Sequence, residues 1–278
     1  MNLLLLALLA CGDKDDTGTD GGTDGGSDGG ADGGADGGSD GGTAADQGMF
    51  SGRVVNPDGS GATVQMRLCA ELCRSITTDA QGYFEYTQVE ADHYVYEAVY
   101  LADQNGYSMP LDVITIAQDQ QIALDQDMVL YPFETSDEVG DEPVMLNLDG
   151  GLTVMADPST MTASEANSPY LPEGEPDYVA SVRVQPDALG LRLEEVEGTV
   201  LAAWHMGRVS VSLSPPWGFQ LDDTLGLTEG DSVEIIASSY DLKEWTSGGT
   251  ATVVDGMLVS DDGSGIPILS TVLLVAAP

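Results

Sequence analysis

The chain has 278 residues, with 47 Asp and Glu against eight Lys and Arg, a formal net charge of −39. Ten of the acids and Lys14 fall within residues 12–46, so residues 47–278 hold 37 acids against seven Arg and Lys, a net −30. Nucleic-acid phosphates and anionic lipid headgroups need basic patches, and this balance excludes DNA and RNA as partners.

Residues Met1–Ala10 read M-N-L-L-L-L-A-L-L-A, an apolar run from Leu3 to Ala10 that is too short to span a bilayer and suits a signal peptide. Cys11 follows Leu8-Leu9-Ala10 directly. This arrangement resembles the lipobox of bacterial lipoprotein precursors. The resemblance implies that residues 1–10 are removed and that Cys11 becomes the first residue of the mature chain. Acyl groups such as palmitate on Cys11 would then anchor the chain to a lipid bilayer. The implied location is the cell envelope, at the outer membrane or cell surface, with the rest of the chain facing the periplasm or the medium.

Residues 11–46 carry the lipidated Cys and then a Gly/Asp-rich stretch with six consecutive x-Asp-Gly-Gly units from Thr19 to Gly42. No large apolar residue is present, so nothing offsets the entropy of ordering the backbone, and a disordered acidic linker is expected. Evenly spaced aspartates extend such a coil further. Asp-Gly repeats that build calcium-binding β-rolls carry an apolar residue in every repeat; these do not.

From Met49 the pattern becomes short β-type runs separated by turns, which predicts an all-β fold. Phe50–Val55 leads into the turn cluster Asn56-Pro57-Asp58-Gly59-Ser60-Gly61. Thr63–Leu68 alternates with period two and puts Val64, Met66 and Leu68 on one face. Further strands are predicted at 76–79, 83–86, 93–100, 122–124 and 128–130. Gly52-Arg53-Val54, the Pro-Asp-Gly turn, Ala62-Thr63-Val64 and Thr78-Asp79-Ala80-Gln81-Gly82-Tyr83-Phe84 together resemble the carboxypeptidase-regulatory-like domain, a transthyretin-like β-sandwich. Tyr94-Val95-Tyr96 and Met128-Val129-Leu130 also fit. The resemblance covers residues 47–132 and implies a non-catalytic accessory domain with no active-site residues to carry over.

Residues 133–278 read as a second β-rich, sandwich-like domain. Val144–Leu148 and Leu152–Met155 flank Asp149-Gly150-Gly151, a hairpin signal. More strands are predicted at 178–184, 208–213, 233–237 and 250–254, with the apolar run 266–277 as a closing core strand. The stretch from Asp231 through Trp245 to Ile266 resembles a β domain repeated in secreted proteins of predatory soil and marine bacteria, a group that implies no particular activity.

The pattern of chemistry is mostly one of missing motifs. Two histidines exist, His93 and His205, one per predicted domain, and no H-E-x-x-H, paired Cys pairs, G-x-S-x-G or P-loop occurs. No catalytic residue, metal ligand set or cofactor is therefore assigned. Asp261-Asp262-Gly263-Ser264-Gly265 has oxygens for calcium but reads more simply as a turn. The acidity as a whole fits either solubility in a salty medium or loose capture of calcium. Trp204, Trp217 and Trp245 could stack on sugars, although core positions explain them more cheaply. Cys69 and Cys73 flank a three-residue turn between two predicted strands, which would bring their Cα atoms within bridging range in an oxidising compartment; two free thiols are the alternative. A non-catalytic binding or structural module is the expected function, with an extracellular protein or glycan as the ligand where it binds one. The alternative is a carboxylate-based hydrolase acting on polysaccharide or peptide.

Overall fold

Alternation of apolar and polar residues becomes paired strands from Gly48 onward. A computed structural model describes residues 47–100, 106–163, 177–207 and 210–277; among these the fold is all-β, and the helix present is short 3-10 turns. No helix among the described residues is long and apolar enough to cross a membrane.

Residues 48–130 build two facing four-stranded sheets. In the first, β1 (Gly48–Val55) pairs antiparallel with β4 (Tyr83–Val89) and parallel with both β7 (Gln121–Ala123) and β8 (Met128–Val129). The second runs β3-β2-β5-β6, antiparallel throughout, from β2 (Gln65–Cys69), β3 (Cys73–Thr77), β5 (Asp92–Val99) and β6 (Leu111–Ile116). Val64, Met66 and Leu68 do share the buried face, where they join Phe50, Phe84, Tyr86 and Tyr96. The Phe50 ring centroid stands 5.4 Å from that of Phe84 and 4.9 Å from that of Tyr96 in edge-on contacts, the geometry aromatic quadrupoles favour.

The Thr-Asp-x-x-Gly-Tyr-Phe step works as a staple between these sheets. The buried Thr78 hydroxyl donates to the Ala62 carbonyl at 2.6 Å and accepts from Val64 N at 2.9 Å. Asp79 Oδ1 accepts from the amides of Gln81 and Tyr83, both at 2.9 Å. Gly82 has φ 86°, and a Cβ there would stand 2.0 Å from the Val54 carbonyl oxygen, so both backbone hand and space require glycine.

Residues 135–276 supply a ten-stranded sheet and a three-stranded one. In chain order the strands are β9 (Thr135–Val139), β10 (Val144–Leu148), β11 (Leu152–Ala156), β12 (Met161–Ala163), β13 (Asp177–Val184), β14 (Thr199–Gly207) and β15 (Val211–Trp217). Then follow β16 (Phe219–Leu221), β17 (Ser232–Ser239), β18 (Glu244–Val254), β19 (Met257–Ser260), β20 (Ile266–Leu269) and β21 (Thr271–Ala276). The large sheet runs β10-β11-β16-β19-β18-β17-β21-β14-β13-β9 and curls until β9 and β10, its two end strands, touch. Inside the curl lie Leu146, Val154, Trp204, Phe219, Ile235 and Leu274, closed over by β12-β15-β20. Asp149-Gly150-Gly151 turns β10 into β11, with Leu148 opposite Leu152 and φ of 72° and 79° at the two glycines.

Two expectations change in detail. The strand placed at 208–213 is β15, which begins at Val211. The run 266–277 is two strands in different sheets: β20 pairs with β15, whereas β21 lies between β17 and β14. Ser270 marks the crossing, since its buried hydroxyl donates to the Ser238 carbonyl at 2.6 Å while its own carbonyl accepts from Met206 N at 2.9 Å.

Candidate functional site

Along β1 and β4, alternation sends Phe50, Phe84 and Tyr86 inward and leaves Ser51, Arg53, Tyr83 and Glu85 on the outer face. Register sets Ser51 opposite Glu85 and Arg53 opposite Tyr83. With Leu124 and Asp127 these residues line an open groove of about 600 Å³. Arg53 holds its shape: Nε donates to Gln81 O at 2.9 Å, Nη1 to Asp127 Oδ2 at 2.9 Å and Nη2 to Gly59 O at 3.2 Å. Its guanidinium carbon also lies 5.4 Å from the centroid of the Tyr83 ring, within cation–π reach. Tyr83 remains 56% exposed, which makes it a positioned aromatic surface flanked by a carboxylate and a hydroxyl. Such a row can stack on an apolar ring face and hydrogen-bond to hydroxyls around it.

A second polar cluster lies where the outer face of β2-β5-β6 meets the segment Tyr240–Trp245. Arg67 Nη1 is 2.6 Å from Glu97 Oε1, an ion pair without an aligned hydrogen bond to that oxygen. Arg67 Nη2 donates to the Tyr240 hydroxyl at 2.7 Å, and its guanidinium carbon is 5.1 Å from that ring's centroid. His93 Nδ1 is 3.0 Å from Thr115 Oγ1 and 3.3 Å from Glu195 Oε1, and its Nε2 contacts the Lys243 carbonyl. At the β6 edge Asp112, which leaves the sheet on the opposite, core-side face with Tyr96 and Ile114, is enclosed and collects five donors. Its Oδ2 accepts from Tyr96 Oη (2.8 Å), Arg192 N (2.9 Å) and Leu193 N (3.1 Å), and its Oδ1 from Val113 N (2.8 Å) and Trp245 Nε1 (3.3 Å). Burial pushes the Asp112 carboxyl above the ordinary range while these bonds pull it back; Glu97 is likewise raised by burial against the pull of Arg67. Both raised carboxyls belong to this joint and not to the groove.

Cys69 and Cys73 face each other across the β2–β3 hairpin with Cα atoms 4.0 Å apart and sulfurs 2.16 Å apart. The Tyr240 hydroxyl stands 3.1 Å from Cys69 Sγ and 3.0 Å from Cys73 Sγ. Cys11 lies outside the described residues. His205 is buried; its Nδ1 is 3.1 Å from Thr271 Oγ1, its Nε2 has no hydrogen-bond partner, and burial pushes its pKa down to about 3. The three Trp are dispersed. Trp204 donates to Asp149 O at 2.9 Å, Trp217 to Thr160 Oγ1 at 2.8 Å, and Trp245 to Asp112 as above, so they form no shared platform. Asp261 accepts from Thr250 Oγ1 at 2.5 Å and, through its carbonyl, from Ser264 N at 2.8 Å, which makes this stretch a tied turn. Among the described residues no three His, Cys, Asp or Glu gather as metal ligands.

Sequence reasoning passed over the groove and the joint. Period-two alternation through Tyr83-Phe84-Glu85-Tyr86 already places Tyr83 and Glu85 on the outer face, a signal that was present and unused. Asp112, an acid inside the apolar run of β6, was the corresponding sign of the joint.

No family model and no curated protein matches the chain. Its carboxypeptidase-regulatory-like resemblance therefore rests on the residues quoted for it. Among solved structures, the chain is similar to a DUF3823 family protein from Bacteroides ovatus, at 9% identity and a TM-score of 0.24, over 84% of this chain and 82% of that one. It is also similar to a "putative carbohydrate binding protein" from Bacteroides uniformis, at 9% identity and a TM-score of 0.22, over 83% and 79%. A third is the major pilin subunit of Bacillus cereus, at 11% identity and a TM-score of 0.23, over 79% and 85%.

Proposed function

We propose that the chain is a cell-envelope lipoprotein, anchored through acylated Cys11, whose folded part binds an extracellular glycan without turning it over. In this reading residues 47–132 form a carboxypeptidase-regulatory-like domain, residues 133–278 a second β domain, and the Gly/Asp linker of 12–46 gives them reach from the membrane. The observation that carries the binding role is Tyr83: a 56% exposed ring, fixed by Arg53, in an open groove with Ser51 and Glu85 beside it. An open groove with an aromatic surface suits a ligand that is held and released, whereas hydrolysis needs a concave, partly dry site around tuned acids.

The test is a glycan array followed by titration calorimetry on any glycan retained. Tyr83→Ala should weaken binding at least about tenfold, the loss typical of removing a central aromatic contact. Equal affinity in the variant would remove this face as the site. Retention of no glycan at all would turn the search to protein ligands, and release of cleaved sugar would favour the hydrolase.

A further inference from the structure

We propose that the Cys69–Cys73 pair is a thiol–disulfide exchange site, at which an external thiolate attacks Cys73 and displaces Cys69. Two features carry this order of events. The residues are unequally accessible: Cys69 is 2% exposed at the end of β2, while Cys73 is an exposed residue at the start of β3, and this difference sets which sulfur is attacked. The second feature is the hydroxyl that both sulfurs share. Tyr240 Oη is 3.1 Å from Cys69 Sγ and 3.0 Å from Cys73 Sγ, and the same oxygen accepts from Arg67 Nη2 at 2.7 Å, which polarises its O–H toward whichever sulfur leaves as thiolate. Arg67 stands two residues before Cys69 on the same outward face of β2, with Glu97 as its ion-pair partner.

The chemistry balances without any further reagent. The lone pair of the attacking thiolate forms a bond to Cys73 Sγ. The Cys69–Cys73 bond breaks, and its electron pair leaves on Cys69 Sγ as a thiolate that accepts a hydrogen bond from Tyr240. A second external thiolate then attacks the incoming sulfur and frees Cys73. The external thiols leave as their own disulfide, having given two electrons to the pair. Exchange rates rise when the leaving sulfur is stabilised as thiolate and when the attacked sulfur is the accessible one.

Glutathione serves as the probe, on the full chain carrying Cys11→Ser so that the pair contributes its only cysteines. After brief exposure and a quench with N-ethylmaleimide, fragmentation of the Leu68–Arg74 tryptic peptide should place glutathione on Cys73 and maleimide on Cys69. Tyr240→Phe, which keeps the ring, should slow the first exchange step about tenfold, the effect of one hydrogen bond to a charged sulfur. Glutathione found first on Cys69 would overturn the proposal. So would a Tyr240→Phe rate equal to or above the parent's, or uptake of two maleimides before any thiol is added. The position of the label is read on the parent side chains, so it decides the matter even where the Tyr240 variant folds poorly.

Discussion

His205 makes a quantitative prediction about acid. The ring is buried between strands with Thr271 on one nitrogen and no partner on the other, so the fold accepts it as neutral imidazole and rejects imidazolium. The folded pKa of about 3 lies below the ordinary value of 6.5. The unfolded chain therefore takes up a proton as pH falls through 6.5, while the folded chain does not do so until about pH 3. Stability is lost across that window, by roughly 2 kcal/mol at pH 5 and by about 4–5 kcal/mol once both states are protonated. Glu97 and Asp112 act in the opposite sense, because raised carboxyl pKa values make the folded state the better proton acceptor and favour it as pH drops toward 4. Their contribution cancels when parent and His205→Gln are compared. Urea midpoints measured for both from pH 8 to pH 5 should converge or cross, with the parent losing stability faster below pH 6.5. Parallel curves would show that the ring is accessible to protons in the folded state and would refute the reasoning.

Asp112→Ala should cost about 3–5 kcal/mol in chemical denaturation, because it orphans buried donors that now share one carboxylate. A loss under about 1 kcal/mol would mean that the joint is wetter than its geometry implies. Cys11→Ser should move the protein from membranes to the soluble fraction and abolish uptake of labelled palmitate; unchanged partitioning would remove the lipoprotein reading. Between low salt and about 0.5 M NaCl the melting temperature should rise as screening relieves self-repulsion within the −30 charge of residues 47–278, and a flat or falling curve would contradict a net repulsive surface.

The parts of the fold that could be read from sequence were the half-buried ones. β4 and the β10–β11 hairpin keep period-two alternation because one face meets the core and the other meets water, whereas β2 alternates in polarity although Arg67 and Cys69 on its other face are buried too. β14 was missed for the converse reason. In Thr199–Gly207, Ala202, Trp204 and Met206 fill the curled sheet while Ala203 packs into the cluster on its other side, so no alternation survives. β6 was missed because Asp112 argues against a buried strand unless its donors are known, and two of those, at Arg192 and Leu193, lie 80 and 81 residues away in sequence. The same limit governs the sites. The spacing of Cys69 and Cys73 implied their approach, yet Tyr240, 171 and 167 residues from them, could not be inferred. Alternation gave the outward direction of Tyr83, but the hold of Arg53 on Asp127 spans 74 residues and appears only in the folded chain.

The distribution of positive charge explains how so acidic a body coheres. Of the seven Arg and Lys in residues 47–278, five arginines are committed to internal ties. Arg53 links three turns around the groove, and Arg67 joins the two stacks of sheets through Tyr240 while pairing with Glu97 on the neighbouring strand of its own sheet. Arg74 donates to the carbonyls of Thr87 and Gln88 and lies over the Tyr86 ring. Arg183 bridges the Gly150 carbonyl and Asp223 above Trp204. Arg192 joins the Ala123 carbonyl to Glu194. Each uses the planar, multi-donor guanidinium to satisfy carbonyls or fix a ring, work that the single ammonium of lysine does less well. With 37 acids against seven Arg and Lys in residues 47–278, most carboxylates have no cation to pair with, and the net charge of this part is strongly negative. Attraction to an anionic ligand is thereby ruled out at long range, and a neutral partner such as a glycan must be recognised by short-range contacts. The groove around Tyr83, with stacking and neutral hydrogen bonds in reach, is the kind of surface on which that is possible.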